Sequence, residues 1–97
     1  MTPSDAFPGT STMRLVGSLH IRPEPDGGAQ VIDDSTFTAA HVNKAAHILL
    51  EALREPRTAQ DLVAALASAA GCPPAEATAP VTRLLADLTS YGWIEPA

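Results

Sequence analysis

The residues that could bind a metal ion are few and are spread along the chain. The imidazole and thiol groups belong to His20, His41, His47 and Cys72, and a metal site needs several such ligands at a workable spacing. His41 and His47 are six residues apart, which does not place two side chains on one face of a helix. We therefore predict no metal site and interpret the imidazoles as surface or partly packed side chains.

The groups that could act in catalysis do not converge either. Cys72 lies in a Gly-Cys-Pro turn with no histidine or lysine beside it in sequence to activate the thiol. Asp33 and Asp34 are adjacent, and adjacent strand residues point to opposite faces of a sheet. Gly27 and Gly28 follow Pro-Asp as in a hairpin turn, outside any phosphate-binding glycine motif. We predict no catalytic residue and no cofactor.

The composition narrows the class of protein and its partners. The chain has 97 residues, 45% of them hydrophobic, and a net charge of −5 from six basic and eleven acidic residues. This size fits one small soluble domain, with little room for a deep enclosed site. The negative charge disfavours nucleic acid and anionic membranes, and no apolar run reaches the ~20 residues of a membrane span. We expect neither partner, and the single cysteine indicates a reducing compartment, the cytoplasm.

The first part of the chain consists of short apolar runs separated by turn residues, which is typical of short strands. Residues 1–12 are small, polar and interrupted by proline and glycine, so we predict a disordered tail followed by one domain at 13–97. Three strands are predicted within about 18–42, from the alternation at Leu19 to Arg22, the apolar pair Val31-Ile32, and the segment from Phe37 to Val42.

The second part has a helical period, with helices predicted at about 44–54, 59–70 and 79–91. Asn43 is a suitable N-cap for the first, and Thr58 with Asp61 forms a capping-box pattern for the second. The third is predicted to start after a turn at 74–77, because Pro80 inside it would cost about 3 kcal/mol. Trp93 and Ile94 would fold back as an apolar plug. The fold class is α+β, a three-stranded antiparallel sheet followed by three helices, similar to a winged helix-turn-helix.

A winged helix that reads DNA needs several cationic or amide side chains on its recognition helix. The outward positions of the second and third helices instead carry one cation among acids and small polar groups: Gln60, Asp61, Ser68, Arg83, Asp87, Thr89 and Ser90. A DNA-binding regulator is therefore the alternative rather than the first choice.

Seven short motifs, in this order and spacing, carry a family resemblance. They are Val31-Ile32-Asp33, Val42-Asn43, Ala45-Ala46, Ile48 to Leu53, Arg57 to Leu66, Leu84 to Leu88, and Gly92-Trp93-Ile94. With them, the chain from Leu19 to Ile94 resembles PqqD-like proteins. These are the precursor-peptide recognition elements of ribosomal peptide (RiPP) natural-product pathways, including stand-alone versions in lasso-peptide clusters.

The resemblance implies a non-catalytic peptide chaperone. It would bind the leader segment of a precursor peptide between strand three and helix three, and present it to a separate modifying enzyme or leader peptidase. An exposed strand edge has unpaired N–H and C=O groups and can accept an extended peptide as a further strand.

On this interpretation the peptide-binding residues come from two elements. Arg83 is predicted to contact an acidic side chain of the leader, and Leu84 could equally belong to the core. The strand edge would be Phe37, Thr38, Ala39, Ala40 and His41, and the helix wall Pro80, Arg83, Leu84 and Asp87, spaced i, i+3, i+4, i+7.

Other interpretations of the sequence stay open. A structural subunit of an enzyme complex would show no affinity for free peptide, whereas a winged-helix regulator would bind duplex DNA. Two copies could also pair through the open strand edge.

Overall fold

The computed structural model describes residues 11–97 as two antiparallel three-stranded sheets and three α-helices. The strands are β1 (Thr12–Leu15), β2 (Leu19–Pro23), β3 (Ala29–Asp33), β4 (Thr38–Val42), β5 (Arg57–Thr58) and β6 (Ile94–Pro96). The helices are α1 (Lys44–Ala52), α2 (Ala59–Ala70) and α3 (Pro74–Ser90). No helix within this part of the chain is long and apolar enough to cross a membrane.

The first sheet is the one that the sequence predicts. Its strand order is β2-β3-β4, so β4 lies at an edge. Alternate residues of β3, namely Ala29, Val31 and Asp33, are buried, because one face of the sheet covers the core. The third strand begins at Thr38, one residue later than predicted.

The second sheet, in the order β5-β1-β6, was not predicted. Its central strand β1 pairs with β6 at the other end of the chain, with Met13 opposite Pro96. Met13 is fully buried. The predicted disordered tail of residues 1–12 lies outside the described residues up to residue 10, but Thr12 belongs to β1.

The first two helices begin where their capping residues predict. The Asn43 side chain accepts the Ala46 N–H at 2.9 Å, which satisfies a helix-start donor. Thr58 and Asp61 form a complete capping box, each side chain accepting the other's backbone N–H at 3.0 Å. Helix α2 has the predicted bounds, closed by left-handed Gly71, and α1 ends two residues before the predicted position 54.

Helix α3 differs from the prediction because it starts at Pro74 and contains Pro80. Proline at the first helical position costs nothing, since that N–H has no partner inside the helix. The extra turns also bury Ala77, which continues the buried stripe of Val81 and Leu85. Burial of the Ala77 methyl group, about 0.8 kcal/mol, offsets part of the cost of the backbone bond lost at Pro80.

The core lies between the helices and both sheets. Trp93 and Ile94 are 6% and 7% exposed and pack within it, which confirms the predicted apolar plug. Ile94 does so as the first residue of β6. The plug therefore belongs to the second sheet.

Candidate peptide-docking site

Two backbone hydrogen bonds at the ends of the β2–β3 ladder determine which way each residue of β3 points. The Asp34 N–H donates to the Ser18 carbonyl, and the Glu24 N–H donates to the Gly28 carbonyl, each at 3.0 Å. In an antiparallel ladder such bonds join directly opposite residues and recur at every second pair. The even-numbered residues of β3 therefore bond to β2, and its odd-numbered residues bond to β4.

The same alternation determines the outer edge of β4. The residues opposite the odd-numbered positions of β3 are Thr38, Ala40 and Val42, so their backbone groups are directed to β3. The N–H and C=O groups of Ala39 and His41 are directed away from the sheet. Within residues 11–97 no strand lies beside this edge, so four backbone groups are available to an added strand.

A shallow groove of about 310 Å³ lies against the core-facing side of this edge. One side is formed by β4, where Thr38, Ala40 and Val42 share a face with the buried residues of β3. The other side is formed by Tyr91 and Trp93, which follow α3. A strand added to β4 would place alternate side chains over this groove.

The turn after α3 positions the aromatic wall of the groove. Gly92 is left-handed, with φ of 76°, and the Trp93 and Gly92 N–H groups donate to the carbonyls of Leu88 and Thr89. These two bonds form a Schellman motif. The rings of Tyr91 and Trp93 lie 4.8 Å apart and are tilted by 52°. The sequence Tyr-Gly-Trp thus builds one wall from an exposed and a buried aromatic ring.

The predicted helix wall lies beside the groove rather than in it. Pro80, Leu84 and Asp87 are spaced so that Tyr91 continues their stripe along α3, and only Tyr91 of this stripe lines the groove. Leu84 is half-buried and packs against the core. Arg83 is exposed and lies to one side of the stripe.

The structure places the predicted edge residues differently relative to the groove and to β4. Thr38 and Ala40 line the groove on the face that they share. Ala39 and His41 alternate with them, so their side chains belong to the opposite face, and His41 also borders the groove. Phe37 is not part of the strand. It lies in the turn before β4 in a left-handed conformation with φ of 55°, and it is 93% exposed. The sequence pattern placed Phe37 in the strand because it did not show that the turn between β3 and β4 spans four residues, 34–37.

A family model described as "Coenzyme PQQ synthesis protein D (PqqD)" matches residues 31–94. This chain belongs to the PqqD family. The match begins within β3 and ends at the first residue of β6, so it includes β4, α3 and both aromatic residues of the groove. The predicted resemblance is thereby confirmed.

A solved structure supports the fold of this PqqD family member. It is the solution NMR structure of the PqqD truncation of Methylobacterium extorquens PqqCD, described as a functional, stand-alone RiPP recognition element. The TM-score is 0.73 at 19% identity, over 93% of this chain and 95% of that chain. No curated protein matches the chain in sequence. The predicted α+β class is confirmed.

The histidines of this PqqD family protein each have a different partner. His20 lies 2.6 Å from Asp34, and His47 contacts the Gly27 carbonyl at 3.0 Å. His41 lies 3.0 Å from Glu24 and 3.3 Å from Asp26. One carboxylate oxygen each of Glu24 and Asp26 and one imidazole nitrogen of His41 all lie within 4.8 Å of one another, at the protein surface. The sequence did not suggest this group of three side chains, because only the hairpin turn between β2 and β3 brings the carboxylates of Glu24 and Asp26 close to His41 of β4.

The side chain of Asp33 stabilises the turn between β3 and β4. One oxygen of its buried carboxylate accepts hydrogen bonds from the Ser35 hydroxyl at 2.8 Å, the Ser18 hydroxyl at 2.9 Å and the Ser35 N–H at 3.0 Å. These donors, those of Ser35 first, hold the pKa of Asp33 below its usual value of 3.8. Asp34, by contrast, turns outward to His20, so the two neighbouring carboxylates do not converge.

We predict that Asp33→Asn removes a pH-dependent part of the stability. A carboxylate with a lowered folded pKa stabilises the fold above its unfolded pKa, and this stabilisation is lost as the pH falls through the folded pKa. The difference in urea midpoint between wild type and Asp33→Asn should therefore be constant above about pH 5 and shrink below about pH 4. Other carboxylates with lowered pKa values, such as Asp61, titrate in both proteins and cancel. A difference that stays constant down to pH 3 would contradict the role of Asp33.

Proposed function

We propose that this PqqD family protein binds the leader segment of a ribosomally synthesised precursor peptide as a further strand on β4. The observation that carries the proposal is the pair of outward-directed backbone positions, Ala39 and His41, beside a groove with an aromatic wall. The protein then presents the peptide to a separate modifying enzyme or leader peptidase. In this role it acts in the cytoplasm without a cofactor and without chemistry of its own.

The free energy of such binding needs both the edge and the groove. Four backbone hydrogen bonds at about 0.5–1.5 kcal/mol each provide about 2–6 kcal/mol, whereas a Kd of 1 μM corresponds to about 8 kcal/mol. An apolar side chain buried in the groove contributes a further ~1.5–3 kcal/mol. Since ordering the peptide also has a cost, the backbone contacts alone do not give micromolar affinity.

The proposal is tested by fluorescence polarisation with labelled leader peptides from the short reading frames beside the gene. Saturable binding at micromolar concentration or tighter, lost when the peptide sequence is scrambled, is the expected result. A lasso-peptide leader is one class to include. Failure of every neighbouring leader to bind folded protein would contradict the proposal.

Two further measurements distinguish the alternatives. Light scattering coupled to size exclusion, with and without peptide, tests whether two copies pair through β4. If they do, a bound leader should separate them because both occupants need the same edge. Binding of duplex DNA that weakens with salt would instead favour a winged-helix regulator.

A further inference from the structure

The backbone pattern of β4 determines how an added peptide is aligned. The peptide is taken to run antiparallel to β4, as in every strand pair within residues 11–97. It would hydrogen-bond to Ala39 and His41, which are separated by one residue, Ala40. The peptide residue between the two bonded positions therefore lies opposite Ala40 in a non-hydrogen-bonded pair, where facing side chains approach most closely. Its side chain lies on the same face as that of Ala40.

The groove lies on that face, and Ala40 is the smallest of the residues that line it. Thr38 and Val42 are on either side of Ala40 along the strand, and Tyr91 and Trp93 form the opposite wall. The groove has a volume of about 310 Å³. Because the side chain of Ala40 is only a methyl group, a side chain of the peptide can occupy the groove.

We infer that Ala40 selects leader peptides in which one large apolar side chain, of the leucine, isoleucine or phenylalanine class, lies opposite it. The inference rests on the proposed function and adds the chemical class of the peptide. The side chains before and after this position lie beside Ala39 and His41 on the other face of the sheet. Their size is therefore not selected by the groove.

The test uses a random peptide library displayed on phage and selected on the full chain, its Ala40→Leu variant and its Ala75→Leu variant. Ala75→Leu is the matched control, because it adds the same atoms to an exposed alanine in the first turn of α3, at the end of the helix away from Tyr91 and outside the groove. Circular dichroism and urea unfolding establish that each protein is folded before selection.

Wild type and Ala75→Leu should select peptides with a large apolar residue at one fixed position. Ala40→Leu should select glycine, alanine or serine at that position. A labelled peptide selected on wild type should bind Ala40→Leu at least about tenfold more weakly, equivalent to 1.4 kcal/mol, and should bind Ala75→Leu within about threefold.

The two proposals fail in different ways. If folded wild type selects no peptide, strand addition itself is wrong. If wild type selects peptides without a large apolar position, or if Ala40→Leu keeps the wild-type preference and affinity, strand addition stands and the inference about Ala40 is wrong. Equal losses in both leucine variants would also overturn it.

Discussion

Replacing Ala39 by proline lowers the affinity for a leader peptide by at least about tenfold, or 1.4 kcal/mol. Proline removes the N–H that is directed outward from β4, and its ring occupies the edge where the peptide backbone approaches. The peptide carbonyl that paired with this N–H is left without a partner, at a cost of about 1–3 kcal/mol when it is buried. Fluorescence polarisation measures the loss.

The Ala39→Pro variant should remain folded, because proline is tolerated on edge strands where its nitrogen faces solvent. Ala40→Pro provides the contrast, since the N–H of Ala40 is directed to β3 and its loss breaks the ladder. Ala40→Pro should therefore lower the urea midpoint much more than Ala39→Pro. Wild-type affinity in folded Ala39→Pro would discard edge docking.

Replacing Trp93 by alanine lowers the free energy of unfolding by about 3–5 kcal/mol. Trp93 is 6% exposed and packs in the core, so its removal leaves a cavity that the anchored turn around Gly92 does not close. Small domains have only about 5–15 kcal/mol of stability. The variant should therefore be partly unfolded at 37 °C, and urea unfolding at lower temperature gives the loss.

Tyr91→Ala is the matched control for Trp93→Ala. The two rings are in contact in the same wall, but Tyr91 is 58% exposed. Its removal should cost less than about 1 kcal/mol of stability, as for most surface positions, and should weaken leader binding. Equal losses of stability in both variants, or a loss below about 1 kcal/mol for Trp93→Ala, would contradict this assignment of the wall.

The sequence predicts the local structure well where one side chain determines it. The starts of α1 and α2 follow from Asn43 and Thr58, because each cap satisfies donors within three residues. The paired strands β2, β3 and β4 follow from apolar alternation interrupted by turn residues. The choice of the third predicted strand as the docking edge came from the family resemblance and not from this pattern.

Features that depend on distant contacts were not predictable from local pattern. Strand β1 is stabilised by pairing with β6, about eighty positions away, which no local periodicity reports. The early start of α3 buries Ala77 in the core, a tertiary contact that the local pattern around Pro80 does not report. Tyr91 was missed as a groove residue, although it continues the spacing of Pro80, Leu84 and Asp87 to the end of α3; Trp93 reaches the groove only through the left-handed turn at Gly92.

Hydrogen exchange of single amides, followed by NMR with and without a bound leader peptide, tests the central claim most directly. In the free protein the amides of Thr38, Ala40 and Val42 should be protected by β3, and those of Ala39 and His41 should exchange rapidly. A bound leader should protect Ala39 and His41 and leave the pattern elsewhere in β4 unchanged. Tight binding with both of these amides still exchanging rapidly would show that the peptide does not dock on this edge.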